Sequence, residues 1–457
     1  MGFNTKVLLG KTLSFSNNPF TNDLRESCCY RDSGAVIIKD GVIQNALDAS
    51  ELSVSNEAEI IDYKDCLILA GFVDAHLHYP QTAVINSWGK RLIDWLNYYT
   101  FPEEKKFSDL EYAKKVSSTY FDIALSNGIT TSVSYGTIHP ESVDAFFSEA
   151  KKRGLRALAG KTCMDRNAPD FLCDTPQKAY DDSRALIEKW HETDRLEYVI
   201  TPRFSPTSSM DQLHMLGGLW SEYPTCLMQT HISEQPEEID WVKKLFPKSK
   251  DYLDTYDAAG LLGERSVFGH GIYLNEREKD LIKEVGASII HCPTSNTFIG
   301  SGLFDLFALS KADHKIGLAT DIGGGSSFSM LKVMASTYEI GQLLGNAIHP
   351  AELLWLSTVG SAKALHLNSK IGNLKTKELI NNAKKMPFLG PNCYGFINYL
   401  DKVAVWSDQI SGDPVKRGIG LICQSGTIGN TISFNHRSLP IAYVMSLGNQ
   451  TNITIED

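Results

Sequence analysis

The sequence predicts an α/β protein built on a (β/α)8 TIM-type barrel. Three observations carry that expectation. From Leu67 onward, strand-like apolar runs alternate with helical stretches. Eight such runs fall within about 250 residues, the number and span that close a barrel. Histidines and one aspartate stand at the ends of five of these runs, where the catalytic groups of such barrels sit.

Residues 1–70 read as short strands, with Gly34–Ile38 and Val42–Asn45 flanking a Lys39-Asp40-Gly41 turn, a hairpin signal. The barrel candidates follow as Phe72–His78, Ile129–Tyr135, Arg156–Thr162, Leu196–Phe204, Cys226–His231, Ser266–His270, Ala287–His291 and Ile316–Asp321. Ala351–Leu365 reads as a helix. Beyond Leu374 the pattern changes: Lys375–Lys385 reads as helical, and a new αβ pattern begins around Phe388. The expected divisions are therefore 1–70, 71–374 and 375–457.

The 457 residues carry 44 Lys and Arg against 54 Asp and Glu, a net charge of −10. An acidic balance without a basic run argues against binding nucleic acid or an anionic membrane. A 42 % hydrophobic share beside 21 % charged residues argues against long disorder. Cys66–Val73, the longest mainly apolar run near the N-terminus, is too short to span a bilayer, and Met1–Phe15 lacks the pattern of a signal peptide. Nine scattered cysteines, an odd number, make no disulfide framework and point to a reducing, cytoplasmic compartment.

The chemistry is concentrated at strand ends. His76 and His78 close the first barrel run as His-Leu-His, and residues i and i+2 of a strand face the same way. His231, His270 and Asp321 each close a later run, so a barrel would bring all five side chains to one end. Imidazoles with a carboxylate suit one Zn²⁺, with Fe²⁺ as a substitute. Glu234, three residues beyond His231, reaches past the metal ligands as a proton shuttle; the plainer reading is a helix N-terminal glutamate. His291 also closes a run and has two readings, a group supporting the metal ligands from behind or, favoured, a structural one; the remaining histidines read as structural. Gly323-Gly324-Gly325 lacks the ending of a phosphate-binding P-loop, and there is neither a Cys-x-x-Cys nor a Gly-x-Ser-x-Gly.

Several longer stretches add to this. They are Gly71–His78, Tyr99–Glu103, Met164–Pro169, Thr201–Pro206, Gln229–Glu234, His291–Asn296 and Thr320–Gly325. Together they resemble the amidohydrolase superfamily and, within it, the guanine deaminase family, over about Lys6 to Leu374. The resemblance implies zinc-dependent hydrolysis of guanine to xanthine and ammonia, in an enzyme that forms a homodimer. It implies that His76, His78, His231 and Asp321 hold the metal, with His270 ligating it or orienting beside it. It implies that Gln81, Arg203, Phe204 and His270 contact the purine, and that Glu234, His270 and Asp321 move protons. Arg203 stands where binuclear relatives carry a bridging lysine, which implies a single metal ion.

Two departures accompany the resemblance. Ala70 replaces the usual proline before the opening motif. The match stops at Ile371-Gly372-Asn373-Leu374, without the strands that complete the family's small β-sandwich, so the N-terminal sandwich is expected to be incomplete. The tail instead carries Leu389–Gly395, Gln424–Thr427 and Ser446–Gln450, which resemble the NDP-forming acyl-CoA synthetases and the succinyl-CoA ligase alpha chain. This implies a flavodoxin-like αβ fragment that lacks its partner domains. Two other readings stand beside the first: an aminohydrolase for another azaheterocycle, or an inactive fused or mis-joined chain.

Overall fold

The computed structural model describes residues 5–53, 58–88 and 91–374, and the backbone of strands at 395–398, 403–406, 419–423 and 441–446. The Lys375–Lys385 helix, Leu389–Tyr394, Gln424–Thr427 and Leu447–Gln450 lie outside the described residues. Chain contacts divide the molecule into two units, Met1–Lys375 and Thr376–Asp457.

The first unit opens with β1 (Thr5–Phe15), β2 (Cys28–Lys39), β3 (Val42–Asp48) and β4 (Glu59–Ile68). They form one sheet in the order β3-β2-β1-β4, antiparallel except for the β1–β4 pair. Three of these strands run for ten residues or more, longer than the short strands the sequence suggested. The β2–β3 hairpin turns through Asp40 and Gly41 at φ 50° and 79°. Two successive positive φ values match the strand twist, and Asp-Gly reaches them at low cost. The sheet is tied to the rest of the unit by Asn373, whose amide both accepts from the Phe15 N–H and donates to its carbonyl, at 3.2 and 2.6 Å.

The barrel follows as β5 (Phe72–Leu77), β6 (Ile129–Tyr135), β7 (Arg156–Gly160), β8 (Thr162–Cys163), β9 (Leu196–Pro202), β10 (Leu227–Ile232), β11 (Ser266–His270), β12 (Ser288–His291) and β13 (Lys315–Leu318). Each of the eight expected runs contains a strand, but β13 stops at Leu318 and β9 at Pro202, so Asp321, Arg203 and Phe204 stand just beyond the strands that were expected to include them. Their order is β5-β6-β7-β9-β10-β11-β12-β13, with β8 extending the third strand alongside β9. Every neighbouring pair is parallel. Between β13 and β5 the ring closes through side chain and backbone. The Asp74 carboxylate accepts the Thr320 N–H and hydroxyl at 2.9 and 2.5 Å, and the Asp321 N–H donates to the His76 carbonyl at 3.0 Å.

Alternate residues of each strand face the axis. Val73, Ala75, Val133, Leu158, Val199, Leu227, Val267 and Ile290 pack together inside the barrel. Branched side chains fill such an interior and leave no pore. The intervening Leu77, Ala157, Tyr198, Met228, Phe268 and Ile289 pack outward in a second, larger cluster with the helices. The expected 351–365 helix is present as Pro350–Trp355, Leu356–Gly360 and Ser361–Ala364 end to end, the middle turn widened to π geometry.

In the second unit, β14 (Gly395–Asn398), β15 (Val403–Trp406), β16 (Ile419–Cys423) and β17 (Ile441–Ser446) form a sheet in the order β15-β14-β17-β16. Among the described residues of this unit, β16 and β17 pair in parallel as in a flavodoxin-like sheet, while β14 is antiparallel to both neighbours. Four residues separate β14 from β15, far fewer than a parallel crossover needs, so the pair can only be a hairpin.

Candidate active site

The C-terminal rim of the barrel collects every site residue expected from the sequence. His78, Gln81, Arg203, Phe204, His231, Glu234, His270 and Asp321 line one cleft, together with Trp95 and Ile299. His76 lies just beneath and is almost fully buried. Two local departures from regular strand geometry put the histidines there.

The first is in β5. Val73 and Ala75 face the axis, yet so do His76 and His78, while Leu77 packs outward. The register of β5 against β6 shifts between Asp74 and Leu77. Such a bulge changes the parity of the strand and re-aims the side chains that follow. The second is at His270. Val267 faces the axis, so a regular strand would point His270 away from it. The backbone at His270 instead takes φ 68°, and this swings the ring into the cleft. Ser233 and Asp321 also have positive φ, 47° and 49°. Non-glycine residues in this region cost energy and persist where the surroundings fix them, typically at functional sites. Gly269 completes the arrangement, since a Cβ there would come within 2.6 Å of the His76 ring.

The nitrogen atoms converge. His78 Nε2 and His231 Nε2 stand 3.1 Å apart, and His76 Nε2 and His78 Nε2 lie 3.6 and 3.7 Å from Asp321 Oδ1. His231 donates from Nδ1 to the Arg203 carbonyl at 2.7 Å, which leaves the Nε2 lone pair facing the cluster. Asn296 does the same for His270, with its Oδ1 2.8 Å from Nδ1. His76 Nε2 is buried without a hydrogen-bond partner. Burial, then the neighbouring rings, hold His76, His78 and His231 far below the usual histidine range. Neutral imidazoles with lone pairs turned to a common point fit a cation. Two nitrogens on one tetrahedral zinc at about 2.05 Å would lie about 3.3 Å apart, close to the separation seen. Cys292 is also buried within reach of His76, His270 and Asp321. Tyr135 stacks on His78 at 4.5 Å as a floor.

The carboxylates differ in role. Burial pushes Asp321 up to about 6, against the pull of His270 and the Ser295 hydroxyl. Burial opposes the charged form of His270, but the Glu234 and Asp321 carboxylates outweigh it and raise its pKa. Its Nε2 is 3.5 Å from Glu234 Oε2 and 3.8 Å from Asp321 Oδ2. Glu234 Oε1 accepts from the Ser301 hydroxyl at 2.6 Å, and Ser301 in turn receives Gln235 Nε2 at 3.1 Å. Behind them, Glu238 accepts the N–H groups of Glu234 and Gln235 and the Tyr252 hydroxyl. Burial, then the charge of Glu234, push Glu238 up to about 7.

Sequence reasoning missed four of these residues. Ser301 is a small polar residue with no motif of its own, Asn296 closes the singled-out His291–Asn296 stretch but was given no role there, and Glu238 sits in a helix-capping box with Gln235. Glu104 directly follows a stretch that was singled out, yet the carboxylate facing the site is Glu104 and not Glu103. Glu103 instead meets Lys106 and Tyr112. His291, read as structural, packs its ring on Phe304 at 4.7 Å.

The model of the amidohydrolase family matches residues 67–379. Guanine deaminase of Escherichia coli K12 is 42 % identical over 359 residues, covering 78 % of this chain and 81 % of that protein. Guanine deaminase of Rattus norvegicus is 38 % identical over 360 residues, covering 76 % and 79 %. Among solved structures, the E. coli guanine deaminase superposes with a TM-score of 0.79 at 40 % identity, covering 81 % of this chain and 86 % of that one. A guanine deaminase from C. acetobutylicum with guanine bound in its active site gives 0.74 at 29 %, covering 81 % and 88 %.

Proposed function

This chain belongs to the amidohydrolase family and, within it, to the guanine deaminases, and from that premise we infer how its residues hydrolyse guanine to xanthine and ammonia. One observation carries the reading. A single cleft joins a cluster of metal-type donors and the Glu234 carboxylate to Gln81 and Arg203, a polar pair suited to a purine edge.

His76, His78, His231 and Asp321 would hold one metal ion, and their imidazole-rich donor set suits zinc. Bound there, the cation supplies a Lewis acid that acidifies a water molecule. The chain's own residues do the rest. Arg203 donates to the O6/N7 edge of the purine, which is acceptor-only. Gln81 contacts the neighbouring edge, and Phe204 covers the ring. Asp321 and His270, at Oδ2 and Nε2, steady the proton that the attacking water gives up. Glu234 takes up that proton on Oε2 and passes it to N3 as oxygen bonds to C2. Ser301 keeps the opposite oxygen, Oε1, out of that role. Glu234 then moves the remaining proton of the added oxygen to the 2-amino group, the C2–N bond breaks and ammonia leaves.

We assign all of this chemistry to residues 71–374 and none to residues 375–457, read as a ligase-like fragment. A reducing, cytoplasmic setting agrees with the seven described cysteines, all of them free. No helix among the described residues is long and apolar enough to cross a membrane.

The test compares ammonia release from guanine, adenine, cytosine and a triazine amine. Guanine is expected to have the highest kcat/KM. A preference for one of the others by tenfold, about 1.4 kcal/mol in transition-state binding, would contradict the reading.

A further inference from the structure

Glu104 ends the short helix Phe101–Glu104 and is fully buried behind the cleft. Its carboxylate is shared by two side chains. Gln81 Nε2 donates to Oε1 at 2.8 Å, and Arg203 Nη1 donates to Oε1 and Oε2 at 3.1 and 2.9 Å. The same guanidinium lies 5.7 Å over the Phe101 ring, one turn earlier on that helix. Arg203 is thereby held from two sides by one element.

The consequence lies in hydrogen-bond polarity. A glutamine amide can turn either its donor or its acceptor end to a ligand. An ionised carboxylate only accepts, so beside Glu104 the Gln81 amide must point its NH₂ backwards. Its carbonyl oxygen is then the end left for a ligand in the cleft that Gln81 lines, and it accepts no hydrogen bond among the described residues. Arg203 spends one nitrogen on Glu104 and keeps the rest of its donor fork for a ligand. Glu104 thus converts an ambivalent pair into one fixed acceptor beside one fixed donor.

We propose that Glu104 is a positioning residue that sets selectivity for 6-oxo over 6-amino purines, acting through Gln81 and Arg203. A 6-oxo-2-aminopurine presents an N1–H donor next to an O6 acceptor, the complement of that pair. A 6-amino purine presents an N1 acceptor next to an amino donor and meets like against like. A site that leaves buried polar groups unpaired with the wrong ligand discriminates strongly. The proposal rests on the guanine reading of the same cleft.

The experiment uses the full chain with its metal and two substrates that carry the same 2-amino leaving group, guanine and 2,6-diaminopurine. Glu104→Gln replaces the pure acceptor by an amide that can also donate, which frees Gln81 to turn over. The expected result is that the guanine to 2,6-diaminopurine ratio of kcat/KM falls at least tenfold, chiefly through a higher KM for guanine, with metal content unchanged. Glu104→Asp keeps the charge and should recover part of the ratio; it also serves if the glutamine variant folds poorly. A purely structural role would slow both substrates by one factor, and an unchanged ratio in an active variant overturns the proposal. A wild-type protein that releases no ammonia from guanine would instead overturn the functional reading beneath it.

Discussion

The barrel rim and the four-stranded sheet of the first unit treat their side chains in opposite ways. At the rim, charged and polar groups are buried and most have a designated partner: Asp74 with Thr320, Glu104 with Gln81 and Arg203, His231 with the Arg203 carbonyl. In the sheet, the outer strand β4 leaves apolar groups in water, with Ile60 55 %, Tyr63 45 % and Leu67 43 % exposed. The rim gives up stability by taking charges and strained φ values out of solvent, and gains a fixed geometry. The sheet holds no site residue, and its liability is an edge that another strand could pair with. Function and solubility should therefore be separable by mutation.

The largest effect expected on the rim side comes from His76→Ala or Asp321→Ala. Either should remove bound metal and at least about a thousandfold of kcat/KM, because donor and chemistry are lost together. Elemental analysis beside an ammonia assay checks this, and a metal-loaded, inactive protein would break the assignment. Glu234→Gln comes next. It should keep a full complement of metal and lose about 10²–10⁴ in kcat, the usual contribution of a positioned proton carrier. A rate near wild type would transfer that role elsewhere.

A smaller effect concerns how the rim stores charge. Glu238 is raised from 4.5 to about 7 in the folded protein by burial and by Glu234. A carboxyl raised on folding favours the native state below its unfolded pKa, and this contribution is lost as pH rises through the folded value. Stability should therefore fall between about pH 4.5 and pH 7, by up to about 3 kcal/mol from this group. Glu238→Gln should flatten that stretch of a urea-denaturation series, and an unchanged slope would assign the pH dependence to other groups. The smallest effect belongs to the sheet. Leu67→Lys should shift stability by no more than about 0.5 kcal/mol and leave kcat within about twofold, while lowering light scattering on concentration. A loss of activity would show that the two regions are coupled after all.

Much of the site was legible because its residue types are conspicuous. His-Leu-His at a strand end, a histidine followed three residues later by glutamate, and a late aspartate name their chemistry before any fold is drawn. Ser301, Asn296, Glu238 and Glu104 were not legible. Ser301, Asn296 and Glu104 each hold another side chain across a separation that local patterns do not span, 67 residues to Glu234, 26 to His270 and 99 to Arg203, whereas Glu238 holds backbone N–H groups only three and four residues away. Among the described residues, the N-terminal strands form one four-stranded sheet with an exposed outer strand.

By itself the sequence determined the eight strands, their alternation with helices and the donors at their ends, because apolar period and residue chemistry are local properties. It could not determine which way those donors point. Simple alternation from Val73 and Ala75 would have turned His76 away from the axis, and alternation from Val267 would have turned His270 away. Only the bulge in β5 and the left-handed φ at His270 bring them in. Both are backbone irregularities with an energetic cost. They are held in place by long-range contacts, among them Asp321 on the His76 carbonyl and Asn296 on the His270 ring. Such contacts exist only once the barrel has closed, and so the aim of the catalytic side chains was decided by the tertiary structure.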